Sequence, residues 1–195
     1  MKKKIYITKK KFNKNIVYGF FTKNYGYSKG IYNSLNCSLT SGDKKNIVKK
    51  NIKLALEKLN LDKKKLKLIN QTHSNKIILV NRKNLKEEIK GDGLIAKDTN
   101  ICLAILTADC CPIFLYDVDS SFISCVHAGW RGAYLNIIKN ALKKINKIQP
   151  NKNKIHAVIG PCLDKNYFEV DKDFEQMFLK KNVSYKKFFS IYKNN

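Results

Sequence analysis

The sequence predicts a mixed α/β domain in which strands alternate with helices. Three observations predict it. Residues 101–106, 112–116 and 122–126 are short apolar runs bounded by polar or turn-forming residues, which is the pattern of buried strands. Residues 44–60 and 133–147 instead repeat their apolar residues at helical spacing. The chain has 195 residues and is 44% hydrophobic, enough to bury a sizeable core and too apolar for a disordered segment. No repeat, low-complexity linker or composition break divides it, so residues 1–195 are expected to form a single domain.

Residues 5–7 and 16–21 (Ile-Val-Tyr-Gly-Phe-Phe) read as strands. A loop rich in Gly, Tyr, Asn and Ser follows from Thr22 to Asn36, and such a loop on a scaffold is a usual carrier of function. Asp43 is positioned to cap a helix over 44–60, whose apolar residues are Ile47, Val48, Ile52, Leu54, Ala55 and Leu59. A strand at 66–69 leads into Asn70-Gln71-Thr72-His73-Ser74, and 77–80 is a further strand. Gly91-Asp92-Gly93 reads as a turn before apolar Leu94-Ile95-Ala96. Thr107-Ala108-Asp109-Cys110-Cys111 separates two apolar runs, and Pro112 is expected to interrupt strand pairing there. The run 122–126 leads directly to His127, and Ala128-Gly129-Trp130-Arg131-Gly132 then opens the helix over 133–147. A strand at 155–159 ends in Gly160-Pro161-Cys162, and 172–180 is helical. The Lys- and aromatic-rich stretch from Ser184 to Asn195 carries strand-forming residues with no element after them.

The formal net charge is +24, which on its face points to nucleic acid. Yet only Arg82 and Arg131 among the 39 basic residues are arginine, and Asn is scattered throughout. That bias is what A/T-rich codon usage produces, and the lysines form no single patch with interleaved aromatics. A solvated surface without specific nucleic-acid binding is expected, a Lys-coated nucleic-acid-binding module being the non-enzymatic alternative. Met1-Lys2-Lys3-Lys4 is followed by no apolar signal region, and no stretch reaches membrane-spanning length. The expectation is a cytoplasmic protein without a membrane partner, its six cysteines reduced.

Of three histidines, two stand in polar junctions beside apolar strands, His73 and His127, and Cys110 stands in a third. Two imidazoles and a thiolate make a good Zn²⁺ set, and three protein ligands leave the fourth position open as in a catalytic site. The same atoms also allow a metal-free arrangement, with Cys110 as nucleophile and His127 or His73 as base. Cys111 rivals Cys110 for either role but points to the opposite face if the two lie in a strand. Asp109 suits a hydrogen-bond acceptor behind a histidine, a general base or a turn former. Arg131, in a chain that otherwise uses lysine, suggests a bidentate contact to phosphate or carboxylate, or else a packing pair with Trp130.

Five motifs now occur in one order. They are Gln71-Thr72-His73-Ser74, Asp92-Gly93-Leu94, Thr107-Ala108-Asp109-Cys110-Cys111-Pro112, His127-Ala128-Gly129-Trp130-Arg131-Gly132, and Ile159-Gly160-Pro161-Cys162 with Tyr167-Phe168-Glu169-Val170. Together they resemble the family first called multicopper polyphenol oxidases (laccase-like). Its members are described as zinc-dependent purine nucleoside phosphorylases with adenosine deaminase activity, and some bacterial ones are called peptidoglycan editing factor. The resemblance spans roughly residues 16–180.

The resemblance implies a layered α/β/α sandwich with a mixed sheet, similar to the catalytic domain of cytotoxic necrotizing factor toxins. It implies His73, Cys110 and His127 as ligands of Zn²⁺, copper being the less favoured occupant. Purine nucleosides and phosphate become the expected partners, with methylthioadenosine as a possible further substrate. Asp109 and Arg131 are the candidate catalytic residues, and Lys23, Asn36 and Arg131, with the helix start at 131–134, the candidate substrate and phosphate contacts. The alternative enzyme is an amidase that removes serine from a UDP-muramyl precursor. Three departures stand out. Thr22-Lys23-Asn24-Tyr25-Gly26 replaces Thr-Arg-x-Gly-Gly, and Asn51-Ile52 replaces Asn-Arg. The chain also stops at Asn195, before the family's Arg-rich tail, so either a fragment or a shortened form of reduced activity is expected. Oligomeric state is left open.

Overall fold

The structure is a computed structural model that describes residues 6–11, 16–117, 119, 121–150 and 154–191. Nine strands are described: β1 (Tyr6–Lys11), β2 (Val17–Phe21), β3 (Lys65–Lys67), β4 (Ile77–Val80), β5 (Gly93–Ala96), β6 (Ile101–Leu103), β7 (Cys111–Asp117), β8 (Ile123–Ala128) and β9 (Ile155–Ile159). Four α-helices accompany them: α1 (Lys45–Lys58), α2 (Trp130–Tyr134), α3 (Ile137–Ile148) and α4 (Lys172–Lys181). The principal sheet has the order β4-β5-β8-β7-β9; β4 and β5 are parallel and the remaining pairs antiparallel. The mixed sheet and the α/β class are thus as the sequence implied. β1–β2 is a separate antiparallel pair, and β3–β6 a separate parallel one.

β5 explains why its run is continuously apolar: all four of its residues are buried, and the two faces enter different cores. Ile95 joins Ile77, Leu115, Phe122 and Val126 beneath α3, whose Ile137, Ala141 and Ile145 lie at helical spacing on one fully buried face. Leu94 and Ala96 point the other way, to Ile69, Val80 and Ile101. Each Ile or Leu so buried contributes about 1.5–3 kcal/mol.

Several elements differ from the sequence expectation. The strand expected at 101–106 stops at Leu103, because Leu106 bonds a side chain instead of a strand. Its N–H donates to Gln71 Oε1 (2.8 Å) and its carbonyl accepts from Gln71 Nε2 (2.7 Å). Pro112 does not interrupt β7: it pairs with His127 of β8, and its carbonyl accepts the Gly160 N–H at 2.8 Å. His127 accordingly lies inside β8 and not after it. The helix expected over 133–147 begins earlier, at Trp130, and breaks at Asn136, whose φ of 59° is left-handed. Asn tolerates that conformation better than most residues. The final aromatic stretch is not a strand: Val183–Phe188 is a 3-10 helix, and Tyr185 and Phe189 pack on Phe178 of α4. The expected residue Tyr192 lies outside the described residues.

Asp43 does not cap α1 either. Its Oδ2 accepts from Ser28 Oγ (2.6 Å) and Asn36 Nδ2 (3.1 Å), which ties the loop over 22–43 to itself. The hub of that loop is Asn51, fully buried on α1. Its Oδ1 accepts the Tyr27 N–H at 2.7 Å, and its Nδ2 meets Ser28 Oγ and the carbonyls of Ser34 and Asn36. Removing it leaves buried groups without partners, each worth about 1–3 kcal/mol. Asn51→Ala is therefore expected to lower the denaturant midpoint and to open residues 22–43 to limited proteolysis; an unchanged cleavage pattern refutes the assignment.

Candidate metal centre

The site forms where the sheet brings four strand ends together. β4 and β5 run parallel and start side by side, with Ile77 opposite Gly93. β8 runs the other way, so its end meets their starts, with Val126 opposite Gly93. β7 begins beside that same end, with Cys111 opposite Ala128. His73 and Cys110 thus sit just before β4 and β7, and His127 sits near the end of β8. Positions 37 and 17 residues apart in the chain meet in this way.

The ligand atoms of His73, Cys110 and His127 all lie within 4.8 Å of one another. Cys110 Sγ stands 3.8 Å from His73 Nε2, and the two imidazoles meet edge to face with centroids 4.9 Å apart. Such mutual distances suit one ion with bonds of about 2.0–2.3 Å to each atom. His127 is buried while His73 is exposed, so the group opens to solvent on one side.

Asp92 holds this arrangement. Its fully buried carboxylate accepts His127 Nδ1 at 2.9 Å, which fixes the tautomer and leaves Nε2 for a ligand. It also accepts the backbone N–H groups of Thr72, His73 and Ser74 and the hydroxyls of Thr72 and Ser74. His73 has a φ of 54°, a strained conformation for a non-glycine residue that these bonds sustain. Burial by itself would raise the Asp92 pKa, but the bonds from Ser74, His127 and Thr72 outweigh it and hold the carboxyl below its ordinary value. Cys110 is pushed the other way, first by burial and then by Asp109 and Asp92, a surplus of negative charge that a bound cation would offset.

Gly129 makes room. A Cβ there would lie 2.9 Å from both Cys110 Sγ and His73 Cδ2. The donor chemistry, the carboxylate behind the imidazole and this clearance all fit a metal ion.

Of the other residues singled out in the sequence, Asp109 is exposed beside Cys110, its carbonyl accepting the Leu163 N–H at 2.9 Å. Arg131 is exposed in the first turn of α2, and Trp130 stacks edge-on against Phe174, not with the guanidinium. Lys23 and Asn36 line a cavity of about 430 Å³ whose wall includes Leu106, Thr107 and Pro112 but none of the three metal-set residues. The Asn36 side chain is engaged within its own loop, donating to Ser41 and Asp43 and accepting from the Ser38 N–H. Sequence reasoning gave Asp92 no role at the site: it reads as a turn former, and its one signal was its place in the Asp92-Gly93-Leu94 motif.

The fold and the site define a mixed α/β protein with a His-Cys-His group able to hold a metal ion. The chain belongs to the family described as multi-copper polyphenol oxidoreductase laccase, which matches residues 17–195. It is 33% identical to a purine nucleoside phosphorylase of Bacteroides thetaiotaomicron over 175 residues, 85% of this chain and 65% of that protein. It is likewise 33% identical to the purine nucleoside phosphorylase YlmD of Bacillus subtilis over 168 residues, 82% of this chain and 60% of that one. The chain therefore spans less than two thirds of the length of these relatives. The crystal structure of the hypothetical protein YfiH of Bacillus licheniformis superimposes with a TM-score of 0.80 at 29% identity, covering 90% of this chain and 70% of that one. Among the described residues no helix is long and apolar enough to cross a membrane.

Two outcomes test the centre. Cys110→Ala and Gly129→Ala are each expected to abolish stoichiometric metal retention after dialysis, with Cys111→Ala retaining it; the reverse order of the two cysteines refutes the ligand set. The stability that the Asp92 carboxylate supplies is complete above its unfolded-state pKa of about 3.9 and is lost as pH falls through its lower folded value. Acid unfolding below pH of about 4 should therefore be shallower in Asp92→Asn, and that variant should bind metal about 10–100-fold more weakly in a chelator competition.

Proposed function

We propose that this protein is a zinc-dependent purine nucleoside phosphorylase that also deaminates adenosine and accepts methylthioadenosine. The observation that carries the reading is the His73-Cys110-His127 group, open on its His73 side, in a chain whose relatives bear the phosphorylase name. Two imidazoles and one thiolate favour zinc over copper as a catalytic, non-redox ion with an open position. When bound, the ion supplies Lewis-acid activation of a water or substrate oxygen.

The chain's own residues do the remaining work. Asp92 engages His127 at Nδ1, which turns Nε2 toward the metal set and presents the ring in one orientation. Asp109, exposed beside Cys110, is the residue assigned to proton transfer. Arg131 is assigned to phosphate, for which its planar fork is suited, and Lys23 to the same anion from the loop side. Asn36 belongs to the wall that carries Lys23: the Ser34 and Leu35 N–H groups both donate to the Lys23 carbonyl, at 3.1 and 2.7 Å. Six free cysteines suit action in the reducing cytoplasm.

Inosine incubated with the zinc-loaded chain is expected to yield hypoxanthine and ribose 1-phosphate only when phosphate is present. Chelation should abolish the reaction, zinc should restore it, and adenosine should give inosine without phosphate. Serine release from a UDP-muramyl precursor with no nucleoside turnover overturns the proposal in favour of an amidase.

A further inference from the structure

The cavity of about 430 Å³ that holds none of the metal-set residues lies among α1, the β3–β6 pair, β2 and β7. The helix α1 buries only Val48 and Asn51. Its Ile52, Ala55 and Leu56 line the cavity and are only half-buried. Leu66, Leu103 and Ile105 line it too and are likewise half-buried. Such a volume falls in the range of about 300–1,000 Å³ that suits a small ligand. The inner wall is dry. Cys37 and Cys102 belong to it, and burial pushes each thiol up to about 11, so both stay neutral. Its aromatic surface is already engaged: Phe20 and Phe114 stack with centroids 4.8 Å apart and planes 7° from parallel, and Tyr18 packs on both. The wall that remains is branched aliphatic, which suits an alkyl chain better than a flat ring. The mouth is polar. Lys23 and Thr107 are exposed there, with Asn36 and Ser38 beside them. Among the described residues Lys23 is the only charged group of the lining, and its ammonium pairs with no carboxylate. Its backbone is fixed, the Lys23 carbonyl accepting from Ser34 Oγ at 2.7 Å.

We propose that this cavity binds a medium-chain aliphatic carboxylate, with the alkyl chain along the apolar face of α1 and the carboxylate on Lys23. The tail leaves water for the half-buried leucine and isoleucine side chains, which gain the apolar cover they lack. The head group stays at the exposed mouth, where a carboxylate gains a charged hydrogen bond without losing all its hydration. Charge complementarity selects the head and the aliphatic wall selects the tail. No bond is made or broken and no metal takes part, so the proposal stands apart from the phosphorylase reading. Where both hold, carboxylate and phosphate claim the same Lys23 and exclude one another.

The test is calorimetric titration of the purified full chain, in phosphate-free buffer, with hexanoate, octanoate and decanoate. One saturable site is expected, with affinity rising about fourfold for each added methylene. Decanol should bind about tenfold more weakly than decanoate, through loss of the charged hydrogen bond. Lys23→Glu should abolish that preference and leave decanol binding unchanged, which also reports an intact cavity. In the unsubstituted chain decanoate should slow the alkylation of Cys37 and Cys102 by N-ethylmaleimide and leave that of exposed Cys162 as it was. Binding that never saturates, which is adsorption to the lysine-rich surface, overturns the proposal. So does an affinity indifferent to chain length, equal affinity for decanol and decanoate, or equal protection of Cys162.

Discussion

One buried carboxylate holds the site together. Asp92 sits at the start of β5 with no solvent exposure, where an unpaired charge would cost several kcal/mol. Its cost is offset by six donor groups: three successive backbone N–H groups of the loop over 72–74, two hydroxyls and the His127 imidazole. The backbone adds to this, His127 N–H donating to the Asp92 carbonyl at 2.7 Å. One side chain therefore positions two of the three metal-set residues, sustains the left-handed His73 and selects the tautomer of His127. A carboxylate in such a setting acts through geometry as much as charge.

The sheet supplies what the carboxylate needs. If β4, β5, β7 and β8 all ran parallel, His127 would lie at the far end of the sheet from His73 and Cys110. The antiparallel placement of β8 between β5 and β7 brings its end back to the start of its neighbours. The three junctions are then anchored from below by the two cores on either face of β5. Gln71 extends the same economy, clamping Leu106 so that the chain reaches Asp109 and Cys110 along one defined path.

The large positive charge has little part in this construction. Among the described residues Lys67 is the buried exception, and its ammonium group is used structurally, donating to the carbonyls of Asn84, Leu85 and Glu87. Burial pulls its pKa down from the ordinary lysine value, and Glu87 works in the opposite sense. Arg82 pairs with Asp98 at 3.1 Å on the surface, where such a bond contributes little.

The sequence by itself determined the α/β class, α1, α3's apolar face, and β4, β7, β8 and β9, because each has a hydrophobic pattern that local residues write directly. It also marked His73, Cys110 and His127, since imidazole and thiol side chains are few and stood at strand junctions. Only the tertiary structure decided the rest. Asp92 reads as a turn residue until β5 and β8 pair and place His127 against it. Asp43 has the residue type of a helix cap, yet Ser28 and Asn36 across the loop claim its carboxylate. The break at Asn136 and the 3-10 turn at Val183–Phe188 likewise run against local propensity. For Asp92 and Asp43 a contact between residues distant in the chain competed with a local preference worth about 1 kcal/mol or less and outweighed it.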